Sequence, residues 1–243
     1  MIPTNPSLMM IERRCLAATS PWGRALLALH VALERRLWRL LMAGDELGKR
    51  TFDAAASFAA LLLISPLWAL IALLIKLEDG GPVIFAQTRV GKRGREFKMY
   101  KFRSMRPDAE QRLRELLAKN QHQDGVTFKI KDDPRITRVG RWLRKFSFDE
   151  LPQFYNVLTG DMSIVGPRPP VPREVALYSL ADRRRLAIKP GITCIWQISG
   201  RAQIDFHGQV ELDVRYIETR SFWSDLRIIV KTVPAVLSGT GAY

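Results

Sequence analysis

The sequence predicts a helix-rich, mixed α/β domain with a small sheet, held at the cytosolic face of a membrane by a re-entrant helix hairpin and amphipathic interfacial helices. Three observations predict it. Residues 54–75 contain no charged side chain, the chain beyond Lys76 alternates strand-like and helix-like segments, and basic residues crowd both ends of the apolar run. The segments so defined are an N-terminal extension with an amphipathic helix over 1–48, a re-entrant membrane helix over 49–76 and a globular domain over 77–243. The last is long enough to bury a core of its own.

In the extension, SPWGRALLALHVALERRLWRLLMAG opens with Ser20 and Pro21, a helix-start pair. Trp22, Leu26, Leu29, Leu33, Leu37 and Leu40 then recur on one helical face, with Arg24, Arg35 and Arg39 mostly off it. Such a helix suits the surface of anionic lipid, and it equally suits packing on a partner subunit or on the domain itself. The sequence leaves both open.

The apolar run, AAASFAALLLISPLWALIALLI from Ala54 to Ile75, can reach across a hydrocarbon core of about 30 Å at about 1.5 Å per residue. Length alone favours a spanning helix kinked at Pro66. Two features favour a hairpin. Pro66 removes a backbone donor and clashes with the preceding turn at about 3 kcal/mol, while the Ser65 hydroxyl can satisfy a freed carbonyl. Lys49 and Arg50 precede the run, and Lys76, Arg89, Lys92, Arg93 and Arg95 follow it, so both ends prefer the cytoplasm.

Beyond it, PVIFAQTRV and EFKMYKFRSM flank GKRGR and predict a strand pair with a basic glycine turn. Gly91 and Gly94 miss the spacing of a phosphate loop. A helix is expected from about Asp108 to Lys119, acidic at its start, followed by a polar loop to Gly125. In DPRITRVGRWLRK, Ile136, Val139, Trp142, Leu143 and Phe146 form a helical stripe, with Arg138, Arg141, Arg144 and Lys145 on other faces.

That basic helix feeds into SFDELPQ, where two acids, Asp149 and Glu150, stand side by side in a chain of formal net charge +14. The plain reading is a capping box, Ser147 as cap and Glu150 three residues on. Pro152 is awkward in that register, and a helix starting nearer Asp149 or Glu150 tolerates it better. Either register puts Asp149 at a helix N-terminus, where the helix dipole and Arg144 favour the ionised carboxylate and free N–H groups can receive a phosphate. An ionised aspartate beside an anion site can attack phosphorus. Further on, GDMSIVGPRPP holds Arg168 between prolines. That is either a rigid surface connection or a pre-aimed guanidinium that forks onto a phosphate.

Composition excludes some classes. With 47% hydrophobic and 26% charged residues the chain is neither disordered nor wholly embedded in lipid, and a pI near 10.3 asks for an anionic partner. Cys15 and Cys194, like His30, His122 and His207, are too scattered for zinc or a disulfide framework. No signal peptide is read at the N-terminus. A membrane-tethered nucleic-acid binder would account for the charge, but no groove-reading motif accompanies it. An assembly scaffold is a second rival.

The motifs YKFRSM, DPRITRVGRWLR, DELPQFYNVLTGDMSIVGPRP, KPGIT and the closing LSGTGAY, spread in order over Lys49 to Tyr243, resemble those of a known family. It is the bacterial sugar transferases of the monotopic polyprenol-phosphate phosphoglycosyl transferase type, those that initiate exopolysaccharides. The resemblance implies that 77–243 is the catalytic domain, with Asp149 as nucleophile and Glu150 in an acid/base or metal-related role. It implies Arg144, Arg168, Lys101 and Arg103 at substrate phosphates, Mg²⁺ at Asp149 and Glu150, and Ser65 and Pro66 as the break of a re-entrant hairpin. The reaction it implies moves a sugar-1-phosphate from a UDP-sugar to polyprenol (undecaprenyl) phosphate, releasing UMP through a covalent aspartyl intermediate. Its setting is the cytoplasmic face of the bacterial inner membrane. The implied partners are the UDP-sugar, the polyprenol phosphate lipid and an anionic membrane, with no nucleic acid and with homo-oligomer formation left open. Retention of both acids and Arg168 weighs against the scaffold.

Overall fold

The apolar run breaks at its Ser-Pro pair. The structure, a computed structural model, describes residues 19–109, 111, 133–200 and 204–238, with backbone alone at 37–43 and 237–238. Helix α1 (Pro21–Leu63) stops just short of α2 (Ser65–Asp79), and Gly44–Leu63 meets Ser65–Asp79 at 60°. Pro66 lies in the first turn of α2, where its missing N–H and fixed φ are favourable. The Ser65 hydroxyl donates to the Leu62 carbonyl at 2.8 Å, satisfying one acceptor at the end of α1. Among the described residues no single helix is long and apolar enough to cross a membrane, although this bent pair passes that test together.

The chain divides into two compact units at Lys49/Arg50. In the first, the Ser20 hydroxyl accepts from Gly23 N at 2.9 Å and caps α1 as expected. Trp22, Leu26, Leu29 and Leu33 are all exposed there, at the spacing of one helical face.

In the second unit both legs of the bent pair are tied into the globular domain. Strands β1 (Ile84–Val90) and β2 (Glu96–Phe102) form the expected antiparallel pair, with Ile84 opposite Phe102 and Val90 opposite Glu96. Their turn carries left-handed backbone at Arg93 and Gly94. From α2, Ile71 and Ile75 pack with Phe102 of β2 and with Leu143 of α3 (Arg138–Lys145). Trp68 meets Phe102 edge-on at 4.9 Å. Burial of such side chains contributes about 1.5–3 kcal/mol each, so this seam is a major contact of the fold.

Polar contacts reinforce the same seam. Glu78, near the end of α2, accepts Arg138 N at 2.7 Å and Val139 N at 3.3 Å, satisfying donors at the start of α3. Thr137 caps the same helix by accepting Gly140 N at 2.9 Å. A Cβ at Gly140 would lie 2.0 Å from the Ser104 carbonyl oxygen, so only glycine lets α3 come this close. Glu78→Ala is expected to lower stability by about 0.5–1 kcal/mol, read as a fall in Tm, whereas Glu78→Gln keeps an acceptor and most of that contribution.

Helix α4 (Gln153–Thr159) runs alongside β2. The buried Asn156 side chain accepts Tyr100 N at 3.0 Å and donates to Lys98 O at 2.7 Å, bonding to the β2 backbone as another strand would. From the first residues of the second unit, Arg50 donates to the Val157 and Leu158 carbonyls near the end of α4 at 2.5 and 2.6 Å. A guanidinium there complements the helix dipole. Asp53 accepts Ser163 Oγ at 2.7 Å and Ile164 N at 3.3 Å.

Strand β3 (Ser163–Val165) pairs in parallel with β4 (Gly191–Thr193). A Cβ at Gly191 would sit 2.1 Å from Gly166 N, which makes glycine necessary beside the PRPP segment. The short helices α5 (Pro172–Ala176) and α6 (Ile195–Ser199) follow, then α7 (Phe206–Thr219) and α8 (Phe222–Ser238). Met99, Val157, Met162, Val165, Tyr216 and Ile228 make the main core. Arg185 and Asp213 form a buried ion pair beneath Tyr178 and Phe206.

Three expectations are corrected. The capping box at Ser147 does not form, because Ser147 is left-handed at φ 55° and makes no cap bond. Asp149 does not sit at an α-helix N-terminus. Residues Phe148–Glu150 form a 3₁₀ turn, and α4 begins only after Pro152, whose ring cannot supply the N–H of a helix interior. The basic helix begins at Arg138 with Thr137 as cap, so Ile136 lies before it. The helix expected near 108–119 and the loop to Gly125 lie almost wholly outside the described residues, as does the closing GTGAY.

Candidate active site

The two acids sit on the 3₁₀ turn between α3 and α4, and both helices are anchored independently. Left-handed Ser147 ends α3 and redirects the chain, a cap that glycine more often fills. Asp149 is buried at 6% exposure, while Glu150 is partly open and lines a cleft. Also lining it are Lys101 from β2, Arg89 from β1, Gln153 from α4, Arg168 and Gln197. Lys101 Nζ donates to Glu150 Oε1 at 2.7 Å.

This geometry splits the two acids electrostatically. Burial raises the Asp149 carboxyl, and the neighbouring Glu150 charge adds to that, although Lys101 and Arg144 pull the other way. Burial also opposes ionisation of Glu150, but the charges of Lys101 and Arg168 and the Lys101 hydrogen bond outweigh it, so that acid is held below its ordinary value. The helix-dipole explanation for an ionised Asp149 therefore fails, and nearby cations are left to favour its charge. By exposure and charge, Glu150 is the acid already facing the cleft. Assignment of the nucleophile to Asp149 comes from the motif.

Of the predicted phosphate-binding residues, Lys101 and Arg168 line the cleft, Arg144 acts on the buried Asp149, and one lies apart. Arg168 is exposed while Pro167, Pro169 and Pro170 around it are buried; its guanidinium lies 6.0 Å from the Trp196 ring. Arg144 is half-buried on α3, and its charge acts on Asp149. Neither guanidinium makes a hydrogen bond among the described residues, so both have donors for a ligand. Arg103 is directed elsewhere. Its guanidinium pairs with both oxygens of Asp79 and its Nε donates to Pro82 O at 2.6 Å, so it joins α2 to the end of β2 and leaves the phosphates to others. Ser65 and Pro66 form the break already described, away from this cleft.

Sequence reasoning missed Arg89 and Gln153. Gln153, 3% exposed, lines the cleft with its side-chain amide making no hydrogen bond among the described residues, although buried amides are normally bonded. Arg89 is buried between Gln87 and the PRPP backbone. The available signal was Gln87 and Arg89 at alternate positions, hence on one face of a predicted strand.

The dyad supplies hard carboxylate oxygens, the kind Mg²⁺ uses when one or two carboxylates share it with substrate phosphates. Among the described residues no three His, Cys, Asp or Glu side chains form a metal cluster.

A family model described as bacterial sugar transferase matches residues 44–239. The chain belongs to that family. It is 53% identical over 197 residues to the galactosyl transferase CpsE of Streptococcus agalactiae serotype III, a match covering 81% of this chain and 43% of that protein. It is 44% identical over 200 residues to the exopolysaccharide production protein ExoY of Rhizobium meliloti, covering 81% of this chain and 88% of the relative. The undecaprenyl-phosphate galactose phosphotransferase of Salmonella typhimurium matches at 46% over 199 residues, 80% of this chain and 41% of that protein. The chain thus spans less than half the length of two of these relatives and most of the third. Neither the nucleic-acid-binding nor the scaffold reading finds support among them.

Proposed function

We propose that this transferase moves a sugar-1-phosphate from a UDP-sugar to undecaprenyl phosphate, the first step of an exopolysaccharide or related glycoconjugate. The observation that carries the reading is that Lys101, Arg168 and Arg89 line one cleft with Glu150, while the charges of Lys101 and Arg144 act on the buried Asp149 next to it in sequence. Two phosphate-bearing substrates and two acids repel one another, and fixed cations are what allow them to meet. The names of the relatives supply the lipid acceptor and, in two cases, galactose; galactose or glucose is the donor sugar we favour.

In the proposed chemistry a carboxylate oxygen of Asp149 attacks the β-phosphorus of the UDP-sugar. The bond from that phosphorus to the bridging oxygen breaks, UMP leaves, and the phosphosugar is held as an acyl phosphate on Asp149. A phosphate oxygen of undecaprenyl phosphate then attacks the same phosphorus, restoring the carboxylate and forming the lipid diphosphate sugar. Arg168 and Arg144 hold the phosphates, and Lys101 keeps Glu150 ionised and in place. Mg²⁺ held by Asp149 and Glu150 would supply further neutralisation of the diphosphate.

The bent pair α1–α2 is read as a re-entrant hairpin at the cytoplasmic face of the inner membrane. Basic residues on both flanks and the Ser-Pro break support it.

The direct test is incubation of the purified full chain with a panel of UDP-sugars and undecaprenyl phosphate, following UMP and lipid product. No product from any donor would overturn the proposal. Arg168→Ala is expected to reduce kcat/KM by about 1.5–3 kcal/mol, roughly 10- to 150-fold, if the guanidinium holds a phosphate. Unchanged kinetics would leave PRPP a structural turn.

A further inference from the structure

The PRPP segment is rigid through its prolines, but prolines alone do not say which way Arg168 points. The segment is also tied to β1. Val90 N donates to Pro170 O at 2.9 Å, and Arg89 Nη1 donates to Pro169 O, also at 2.9 Å. The carbonyls on the C-terminal side of Arg168 are thus held from one strand. Arg89 is itself oriented by Gln87, whose Oε1 accepts from Nε at 3.0 Å and from Nη2 at 2.7 Å.

Every nitrogen of the Arg89 guanidinium therefore already donates within the protein, while Arg168, exposed, makes no hydrogen bond among the described residues. Both arginines line the cleft with Glu150, and the charges of Arg168, Glu174, Glu150 and Arg173 act on Arg89. Burial, and next the charge of Arg168, push the Arg89 guanidinium down to about 10. A buried cation held against a like charge is unfavourable for folding on its own account, which points to a role at the site.

We propose that Arg89 is a positioning residue for the transfer reaction: by gripping the Pro169 carbonyl, it aims Arg168 at the phosphates of the nucleotide donor. The division of labour is that Arg89 acts through Arg168, and of these two it is Arg168 that carries the phosphate contact. This inference rests on the proposed reading of the cleft as a nucleoside-diphosphate site.

The test is a double-mutant cycle on the full chain in phospholipid nanodiscs, with UDP plus Mg²⁺ as the probe and Tm measured alongside. Arg168→Ala and Arg89→Gln are each expected to weaken UDP binding about tenfold or more, and the double variant to bind no worse than Arg168→Ala alone. Additive losses would overturn the inference, as would unchanged UDP affinity in a folded Arg89→Gln protein. Should Arg89→Gln fail to fold, Gln87→Leu replaces it in the same cycle, since it frees the guanidinium of Arg89 without removing its charge. A wild type that binds no UDP also overturns the inference. Failure of the transferase reading looks different: UDP binds with the expected coupling, but no donor sugar is transferred.

Discussion

Asp149→Asn is expected to leave a folded chain whose transfer activity falls about a thousandfold or more, to background. An amide nitrogen or oxygen is a poor nucleophile toward phosphorus, and the side chain keeps its shape. The fold is expected to survive for a specific reason. Burial raises the Asp149 carboxyl, so the folded chain holds that proton more tightly than the unfolded chain. The stability from this group is full below the ordinary carboxylate range and declines as pH rises through the raised value. Asparagine carries no charge to bury, so the variant's Tm at neutral pH should equal or exceed that of the wild type. The same shift predicts that wild-type transfer falls on the acid side at a pH above the ordinary carboxylate range, because a protonated Asp149 cannot attack. Measuring UMP release by Asp149→Asn and Glu150→Gln side by side decides between the acids. An active Asp149→Asn with an inactive Glu150→Gln would exchange their roles.

The second large effect concerns topology and is all-or-none. Single cysteines introduced at Lys49 and at Lys92 are both expected to react with a membrane-impermeant maleimide from the cytoplasmic side. The background needs only Cys15 removed, because Cys194 is 1% exposed and burial raises its thiol well above the ordinary value, leaving it unreactive. A spanning segment would put one of the two sites in the periplasm, and labelling of either from that side only would sink the hairpin and its access to the lipid phosphate. Pro66→Leu restores a backbone donor and removes a ring that fits the first turn of α2 but not the interior of a continuous helix. It should shift the segment toward spanning by up to about 3 kcal/mol, opposed by the basic flanks, giving mixed labelling and reduced transfer.

The break at Ser65 and Pro66 was legible in the sequence because its causes are local: a missing donor, a fixed φ and a hydroxyl three residues from the carbonyl it satisfies. The strand pair was legible for the same reason, since alternation and a glycine turn act over a few residues. So was the family, because its motifs are contiguous. Other features depended on residues far apart in the chain. Arg103 looked like a phosphate ligand beside Lys101, yet Asp79, 24 residues earlier, captures it once α2 returns past the end of β2. Ser147 matched a capping box, yet α3 ends there and requires a left-handed residue to turn the chain. Arg89 gave no sign of its place, because the carbonyl it grips is 80 residues away. Local propensity and motif determined which elements form and which family they belong to. Only the tertiary structure decided which charges are buried, which are paired and which remain for a substrate, because desolvation and ion pairing depend on neighbours that sequence order does not specify.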